Sequence, residues 1–166
     1  PDIVTAGKPL GNGYPLAAVI TTQEIASEFS KKYHYFNTFG GNPVAAAAGL
    51  AVLDVIEEEG LRQNVRETGR YLAEALRDLQ REHAMIGDVR GRGLFMGLEI
   101  ISEPSTGEPA PARAAALREQ LRENGVLLGV TGPRENVIKI RPPMVFSRQH
   151  ADRLLQSLED ALRFLA

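Results

Sequence analysis

The residue best suited to covalent chemistry is Lys8, which lies in a glycine- and proline-rich loop directly after a short β-branched segment. A lysine held in a tight loop is partly desolvated, and a neutral amine can form a Schiff base with a carbonyl compound. The alternative is an ordinary solvated loop lysine. A phosphate-binding P-loop does not fit, because the glycines follow the lysine, whereas a P-loop needs them before it.

A second candidate is the segment of residues 37–43, in which Thr38 precedes two glycines and an Asn-Pro pair. Asn accepts hydrogen bonds from the first N–H groups of a helix and Pro fits its first turn, so a helix begins here. The N–H groups and the helix dipole at such a point can receive an anion. A simple turn and helix cap explains the same residues.

Cationic side chains supply the remaining candidates. Arg90 and Arg92 alternate with glycines, which permits close approach by a carboxylate or phosphate, although such arginines more often form structural ion pairs. Lys139 and Arg141 directly precede a pair of prolines. The three histidines are far apart and show no ligand spacing, so we predict no metal site.

Composition excludes several classes of protein. The 166 residues are 43% hydrophobic and 24% charged, which suits one ordinary domain or one domain and a small piece. No cysteine is available for disulfides or thiolate chemistry, which is compatible with a cytoplasmic location. The net charge is -2 and no basic face stands out, so we expect no nucleic-acid partner. The longest apolar stretch, residues 44–53, is too short to cross a membrane.

Strands and helices are intermingled along the chain, which predicts an α/β fold. Residues 44–59 are apolar all round at first and so predict a buried helix, whereas the helix from Leu61 onward is long and amphipathic. The aromatic-rich residues 33–39 alternate in hydrophobicity. The other predicted strands are residues 3–5, 16–21, 94–101, 126–130 and 137–140, and the other predicted helices are residues 22–29, 112–124 and a last helix capped by Ser147.

Three motifs, in this order, resemble those of one family. Pro-Asp-Ile-Val-Thr-Ala-Gly-Lys at residues 1–8, Thr-Phe-Gly-Gly-Asn-Pro at residues 38–43 and Val-Arg-Gly-Arg-Gly-Leu at residues 89–94 are similar to motifs of the class III aminotransferases. These are pyridoxal-phosphate (PLP) enzymes of fold type I. The resemblance covers the whole chain and matches the C-terminal part of a family member.

The resemblance implies a role for several residues. Lys8 would form the Schiff base with PLP and act as the general base. Thr38 would bind the cofactor phosphate of the neighbouring subunit, which implies a homodimer with shared active sites. The substrate would be a small amine or amino acid, and Lys139, Arg141 and Arg92 are candidate substrate-binding residues.

The proline-pair motif suggests a branch of the family. Typical members carry a carboxylate-binding arginine four residues before the second proline, where this chain has Lys139, and Arg141 stands two residues further along. A lysine lacks the planar fork that matches a carboxylate. The lysine variant resembles the phospho-lyases, which eliminate phosphate from phosphoethanolamine or 5-phosphohydroxylysine. Transamination remains open, because both reactions use the same carbanion.

By the resemblance, residues 1–59 are the end of the large PLP-binding domain, residues 60–84 a linking helix and residues 85–166 a small C-terminal α/β domain. The family's aspartate for the cofactor ring lies upstream of Pro1. We therefore expect the chain to begin inside a larger protein, to be inactive alone, and to associate or be unstable through exposed apolar surface. The alternatives are a non-catalytic dimerisation or interaction module from Leu61 onward, or the terminal domain of a fusion with another enzyme, such as a kinase-like domain.

Overall fold

The computed structural model describes residues 1–165 and divides the chain into two compact units. The first unit is Pro1–Glu59 and the second begins at Gly60. Within residues 1–165, no helix is both long and apolar enough to span a membrane.

The first unit is a two-stranded ribbon with two helices. Strands β1 (Ile3–Ala6) and β2 (Ala18–Thr21) pair antiparallel, with Ile3 opposite Thr21 and Ala6 opposite Ala18. A one-turn 3₁₀ helix, Lys8–Gly11, follows β1, and we call residues 8–13 the lysine turn. The helices are α1 (Gln23–Lys32) and α2 (Pro43–Glu58), and residues 33–39, despite their alternation, form no strand.

The prediction that α2 is buried is wrong. Its start is as expected, because the Asn42 side chain accepts a hydrogen bond from the Ala45 N–H at 2.9 Å. However, the buried residues of α2 are Ala45 and Gly49, whereas Val44 and Leu50 are 63% and 61% exposed. The difference arises because α2 packs against the lysine turn along this one narrow line of small residues.

The second unit is a four-stranded sheet with three helices. Its strands are all antiparallel, and their order across the sheet is β3-β4-β6-β5. Leucine and isoleucine side chains from the strands and all three helices form one core. The elements are α3 (Leu61–Glu82), β3 (Ile86–Arg92), β4 (Phe95–Ile100), α4 (Pro111–Glu123), β5 (Gly129–Thr131), β6 (Val137–Ile140) and α5 (Arg148–Leu165).

The close packing of α3 on the β3–β4 hairpin depends on two glycines. A Cβ atom on Gly69 would lie 2.4 Å from the Gly93 carbonyl carbon, so no larger residue fits without moving the backbone. Gly93 itself has a φ of 58°, in the left-handed region that glycine adopts readily. The hairpin turn is therefore held directly against the helix.

The sheet has one face in the core and one open face. The side chains of Met96, Leu98 and Ile100 on β4 are buried, whereas the alternate residues, Phe95, Gly97 and Glu99, lie on the other face. Because successive side chains point to opposite faces along every strand, the side chains of the other strands are divided between the core face and the open face in the same way. The open face consequently carries polar and charged residues of β3, β5 and β6 beside those of β4.

Candidate functional site

The lysine turn has a fixed backbone. Lys8 is the first residue of the 3₁₀ helix, in which the Leu10 N–H donates to the Gly7 carbonyl at 2.9 Å and the Asn12 N–H to the Pro9 carbonyl at 3.1 Å. Asn12 then adopts a left-handed conformation with a φ of 44°. This reversal leads the chain back into β2, so the position of Lys8 follows from the turn and the ribbon together.

Helix α2 supports the lysine turn from one side. A Cβ atom on Gly49 would lie 2.6 Å from Leu16 Cδ2, and one on Gly11 would lie 3.1 Å from Leu16 Cβ. Both glycines are buried. The absence of side chains at these two positions lets Leu16 fit between the turn and the helix.

The Lys8 side chain is exposed, which agrees with the alternative of a solvated loop lysine and not with partial desolvation. The composition identifies the turn correctly, but the turn places the side chain on the surface of the first unit. Across residues 1–165, no hydrogen bond or ion pair engages its ammonium group. Lys8 thus presents an accessible primary amine, which is the donor that an aldehyde cofactor requires.

The Thr38 turn already uses some of its hydrogen-bond donors. Asn37 Oδ1 accepts from the Phe39 N–H at 3.1 Å and from the Gly40 N–H at 3.0 Å. Asn42 likewise takes the Ala45 N–H. The Thr38 hydroxyl is exposed and has no partner within the described part of the chain. Sequence reasoning missed the role of Asn37, although an asparagine three residues before a glycine pair is a recognisable turn signal, because its side chain can bond to the backbone two residues on.

These residues fit the groups of PLP in chemical type. An accessible amine at Lys8 suits the aldehyde, and a free hydroxyl at Thr38 beside the start of α2 suits a phosphate oxygen. The helix dipole at Asn42 adds a favourable electrostatic contribution for an anion. This fit is one of chemical type, an amine and a hydroxyl, and both residues belong to the first unit.

In the second unit, Lys139 lies on the open face of the sheet between two glycines. It stands directly opposite Gly97 on β4 and Gly129 on β5. A Cβ atom on Gly129 would lie 3.3 Å from Lys139 Cε, so the lysine side chain passes over the glycine. Lys139 and Gly97 line a cavity of about 360 Å³, which Arg90 and Phe95 also line. The half-buried Lys139 therefore brings a cation to a recess on this face of the sheet.

Arg90 is held by carboxylates. Its Nη1 atom lies 2.7 Å from Asp88 Oδ2 and 2.5 Å from Glu99 Oε2. The hydrogen bonds that Arg90 donates to Asp88 and Glu99 raise the pKa of its guanidinium above the usual range. Because both partners are carboxylates, Arg90 fits the structural role that its sequence context favours.

The other candidate cations lie in two different cavities. Arg141 follows β6 and lines a cavity of about 590 Å³ together with Lys139, His150 and Arg153. Arg92 instead lines a cavity of about 560 Å³ with arginines of α3. Lys139 and Arg141 are thus brought together, and Arg92 is not in their group.

A cluster of metal-type side chains that sequence spacing missed forms between α3 and α5. His83 Nε2 lies 2.8 Å from Glu159 Oε2, and Glu82 is close by. The hydrogen bond from His83, followed by that from Arg163, lowers the pKa of Glu159. Since Arg163 Nε also binds this carboxylate, at 2.5 Å, the cluster is an ion-pair contact that joins the two helices.

Comparison with known sequences identifies the family. The sequence model described as Aminotransferase class-III matches residues 1–162. "Alanine--glyoxylate aminotransferase 2 homolog 2, mitochondrial" of Arabidopsis thaliana is 48% identical over 159 residues, which are 96% of this chain and 33% of that protein. "Ethanolamine-phosphate phospho-lyase homolog 1" of Caenorhabditis elegans is 43% identical over 166 residues, with 99% of this chain and 36% of that protein covered.

Solved structures agree with the sequence comparison. A phospholyase from Arthrobacter in complex with phosphoethanolamine is similar with a TM-score of 0.93 and 48% identity, over 98% of this chain and 39% of that one. An amine transaminase from an uncultivated Pseudomonas species, in the PLP-bound form, has a TM-score of 0.89 and 35% identity, over 100% of this chain and 39% of that one.

The predicted fold class, the end of a fold type I large domain followed by a small α/β domain, is confirmed by these similarities. The chain spans about a third of the length of the curated relatives it matches. On the evidence of its motifs, its structure and its relatives, the chain belongs to the class III aminotransferase family.

Proposed function

We propose that this chain is the C-terminal part of a PLP-dependent enzyme that acts on a small phosphorylated amine and eliminates phosphate. The observation that carries the proposal is Lys139 in its glycine-lined recess, at the position where typical family members carry an arginine. A compact ammonium group binds a phosphate as a point charge and lacks the planar fork that suits a carboxylate. The similar Arthrobacter phospholyase, described with phosphoethanolamine, supports this substrate class.

Within this proposal, Lys8 and Thr38 hold the cofactor. Lys8 Nζ would bind the aldehyde carbon, and the Thr38 hydroxyl would donate to a phosphate oxygen of the cofactor of a second subunit, so the enzyme would be a homodimer. When bound, PLP supplies an electron sink for the negative charge that develops on the substrate carbon. The chemistry of the two donors supports this assignment, since one is an accessible amine and the other a free hydroxyl.

The chain's own residues would then move one proton and orient the substrate. Lys8 Nζ, once neutral, takes the proton from the substrate carbon that carries the amine. Lys139 Nζ binds the substrate phosphate and holds it as it leaves. Arg141 lines the same cavity as Lys139 and adds positive charge there. Arg92 lines another cavity, so a role in substrate binding is less well supported for it. We place the enzyme in the cytoplasm as a prediction; one relative is named as mitochondrial.

Transamination of an amino acid is the second candidate. The Arabidopsis relative at 48% identity is named as an aminotransferase homolog, and the proton transfer at Lys8 would be common to both reactions. The two candidates differ in what the group at position 139 must bind. A carboxylate is matched by the planar fork of an arginine, whereas a lysine binds a phosphate as a point charge.

The test is to exchange Lys139 for glutamine in the full-length protein. We expect the unchanged protein to release phosphate from phosphoethanolamine faster than it transfers an amino group from alanine to glyoxylate. Lys139→Gln removes the charge and should lower kcat/KM for phosphate release by about tenfold or more, since one charge-assisted contact is worth about 1.5–3 kcal/mol. Arg134→Gln, in the exposed turn before β6, is the matched control and should leave both rates unchanged.

The opposite pattern would identify an aminotransferase. If the unchanged protein transfers amino groups efficiently and releases no phosphate, phosphate elimination is wrong. Loss of PLP binding in Lys8→Ala would still support the cofactor assignment in that case, because the two conclusions depend on different residues.

A further inference from the structure

Five arginines of the second unit line one groove. Arg66, Arg70 and Arg77 are exposed residues of α3, and Arg92 is the last residue of β3. All four line the cavity of about 560 Å³ between α3 and the β3–β4 hairpin, which we call the arginine groove, and Arg62 is the fifth arginine of its lining. Spacings of four and seven residues keep the three α3 side chains on one face of the helix. The composition predicts no basic face, because net charge does not show which arginines share one face of a helix.

Four of the guanidinium groups in the arginine groove have no acidic partner. Within residues 1–165, the side chains of Arg66, Arg70, Arg77 and Arg92 make no ion pair or hydrogen bond and no acidic residue lines the groove, whereas Arg62, which also lines it, does make an interaction. Some arginines elsewhere in the chain are paired, as Arg118 and Arg122 are with Glu119 at 2.7 and 2.9 Å. The groove is therefore a local concentration of positive charge on a chain whose net charge is -2.

The floor of the arginine groove is apolar. The half-buried Val65, Ala73 and Met144 line it together with the buried Met96. Methionine side chains adapt to varied apolar partners, and arginines around an apolar centre are typical of protein interfaces. The groove thus suits a ligand that carries both carboxylates and apolar side chains.

The length of the groove favours a polypeptide. Arg66 and Arg77 are eleven residues apart on α3, which corresponds to about 16 Å along the helix axis. One phosphate or one small carboxylic acid cannot contact arginines at both ends of such a row. An extended segment of about five residues covers this distance.

We propose that the arginine groove binds an acidic polypeptide segment that also carries apolar residues on the face that contacts the groove. The carboxylates pair with Arg66, Arg70, Arg77 and Arg92, and the apolar side chains contact Val65 and Met144. This choice of partner rests on charge complementarity. A nucleic acid and a small polyanion are the alternatives that the test distinguishes.

The test measures binding of a fluorescein-labelled peptide of Glu-Glu-Leu repeats, which presents both residue types on one face when extended, by fluorescence anisotropy. The double variant Arg66→Gln with Arg70→Gln removes two groove charges. The double variant Arg118→Gln with Arg122→Gln removes the same charge from α4 and is the matched control. Circular dichroism checks that both variants keep the helix content of the unchanged chain.

We expect the groove variant to bind the peptide at least about tenfold more weakly and the control to bind it normally, with affinity that falls as salt is added. Hydrogen exchange of the unchanged chain should show peptide-dependent protection of α3 between Arg66 and Arg77, which tests the site without any substitution. Equal weakening in both variants, or no protection of α3, would overturn the proposal.

Two further probes decide the class of ligand. Inorganic triphosphate that displaces the peptide at equal concentration would identify a small-anion site and overturn the polypeptide proposal. Duplex DNA that binds as tightly as the peptide, and loses affinity in the same groove variant, would identify a general polyanion surface and overturn it as well.

Discussion

At the scale of single residues, the role of a cationic side chain depends on whether it forms an ion pair with a carboxylate. Arg90 is fixed between Asp88 and Glu99, so its charge serves the sheet. Lys139 has glycines as both of its cross-strand neighbours, so its charge faces a recess. The sequence alone distinguishes these two cations only in part. The carboxylate partners of Arg90 lie on two strands, so they can be identified only once the pairing register of those strands is known.

The carboxylate of Glu159 yields a pH-dependent prediction. Hydrogen bonds from His83 and then Arg163 lower its pKa in the folded state below the ordinary value of 4.5. A lowered pKa means that this contribution to stability is fully present above the unfolded pKa and is lost as pH falls through the folded pKa. Glu159→Gln should therefore destabilise the chain at pH 7 and have little effect in acid below the folded pKa.

Urea unfolding of the unchanged chain and of Glu159→Gln, measured from neutral to acidic pH, checks this. Glu74→Gln, at an exposed position of α3, is the control and should change the free energy of unfolding by less than about 0.5 kcal/mol at every pH. A stability difference for Glu159→Gln that stays constant with pH would show that the His83 contact does not depend on the ionised carboxylate.

At the scale of elements, the sequence predicts most helices and misses one strand. Asn42-Pro43 and Thr22 mark helix starts by their own chemistry, and α2 and α1 begin there. Strand β3 was missed because Gly87, Gly91 and two arginines interrupt its hydrophobic alternation. Strand β3 is held in place by its pairing with β4 and by the close contact of Gly69 with Gly93. Those contacts join residues that are distant in sequence, so local patterns do not contain them.

The cap of α2 can be tested because it also shapes the Thr38 turn. Asn42 accepts from the Ala45 N–H and donates from Nδ2 to the Phe39 carbonyl at 2.9 Å. Asn42→Ala removes both bonds and should destabilise the first turn by about 1 kcal/mol, which corresponds to about fivefold faster exchange of the Ala45 amide. Asn42→Asp keeps the acceptor and should keep most of the protection.

Hydrogen exchange measured by NMR reports this amide directly. Equal exchange rates in the alanine and aspartate variants would show that the side-chain cap does not hold the start of α2.

At the scale of the whole molecule, the two units differ in how much apolar surface they bury. The second unit has a core of fully buried leucines and isoleucines on the sheet and three helices. In the first unit Ala45 is the one buried hydrophobic residue, whereas side chains such as Ile20, Phe36 and Phe39 are 60%, 77% and 80% exposed. Composition predicts enough apolar residues for a core, but it does not show that they collect in one unit.

This difference predicts unequal stability. The segment from Gly60 onward, produced alone, should unfold cooperatively in urea, because the core lies within it. Residues 1–59 alone should remain largely unfolded or associate, since large exposed apolar areas promote association. Sedimentation velocity and circular dichroism of both segments check the prediction. A soluble, folded monomer of residues 1–59 would contradict it.

The central claim is that Lys8 is the residue that binds PLP, and reductive labelling tests it most directly. The full-length protein is incubated with PLP, reduced with borohydride, digested and mapped by mass spectrometry. Within this chain the labelled peptides are easy to assign, because it has four lysines, Lys8, Lys31, Lys32 and Lys139. We predict label concentrated on Lys8 and abolished in Lys8→Ala but not in Lys31→Ala. Label spread evenly over the four lysines, or absent from Lys8, would contradict the assignment.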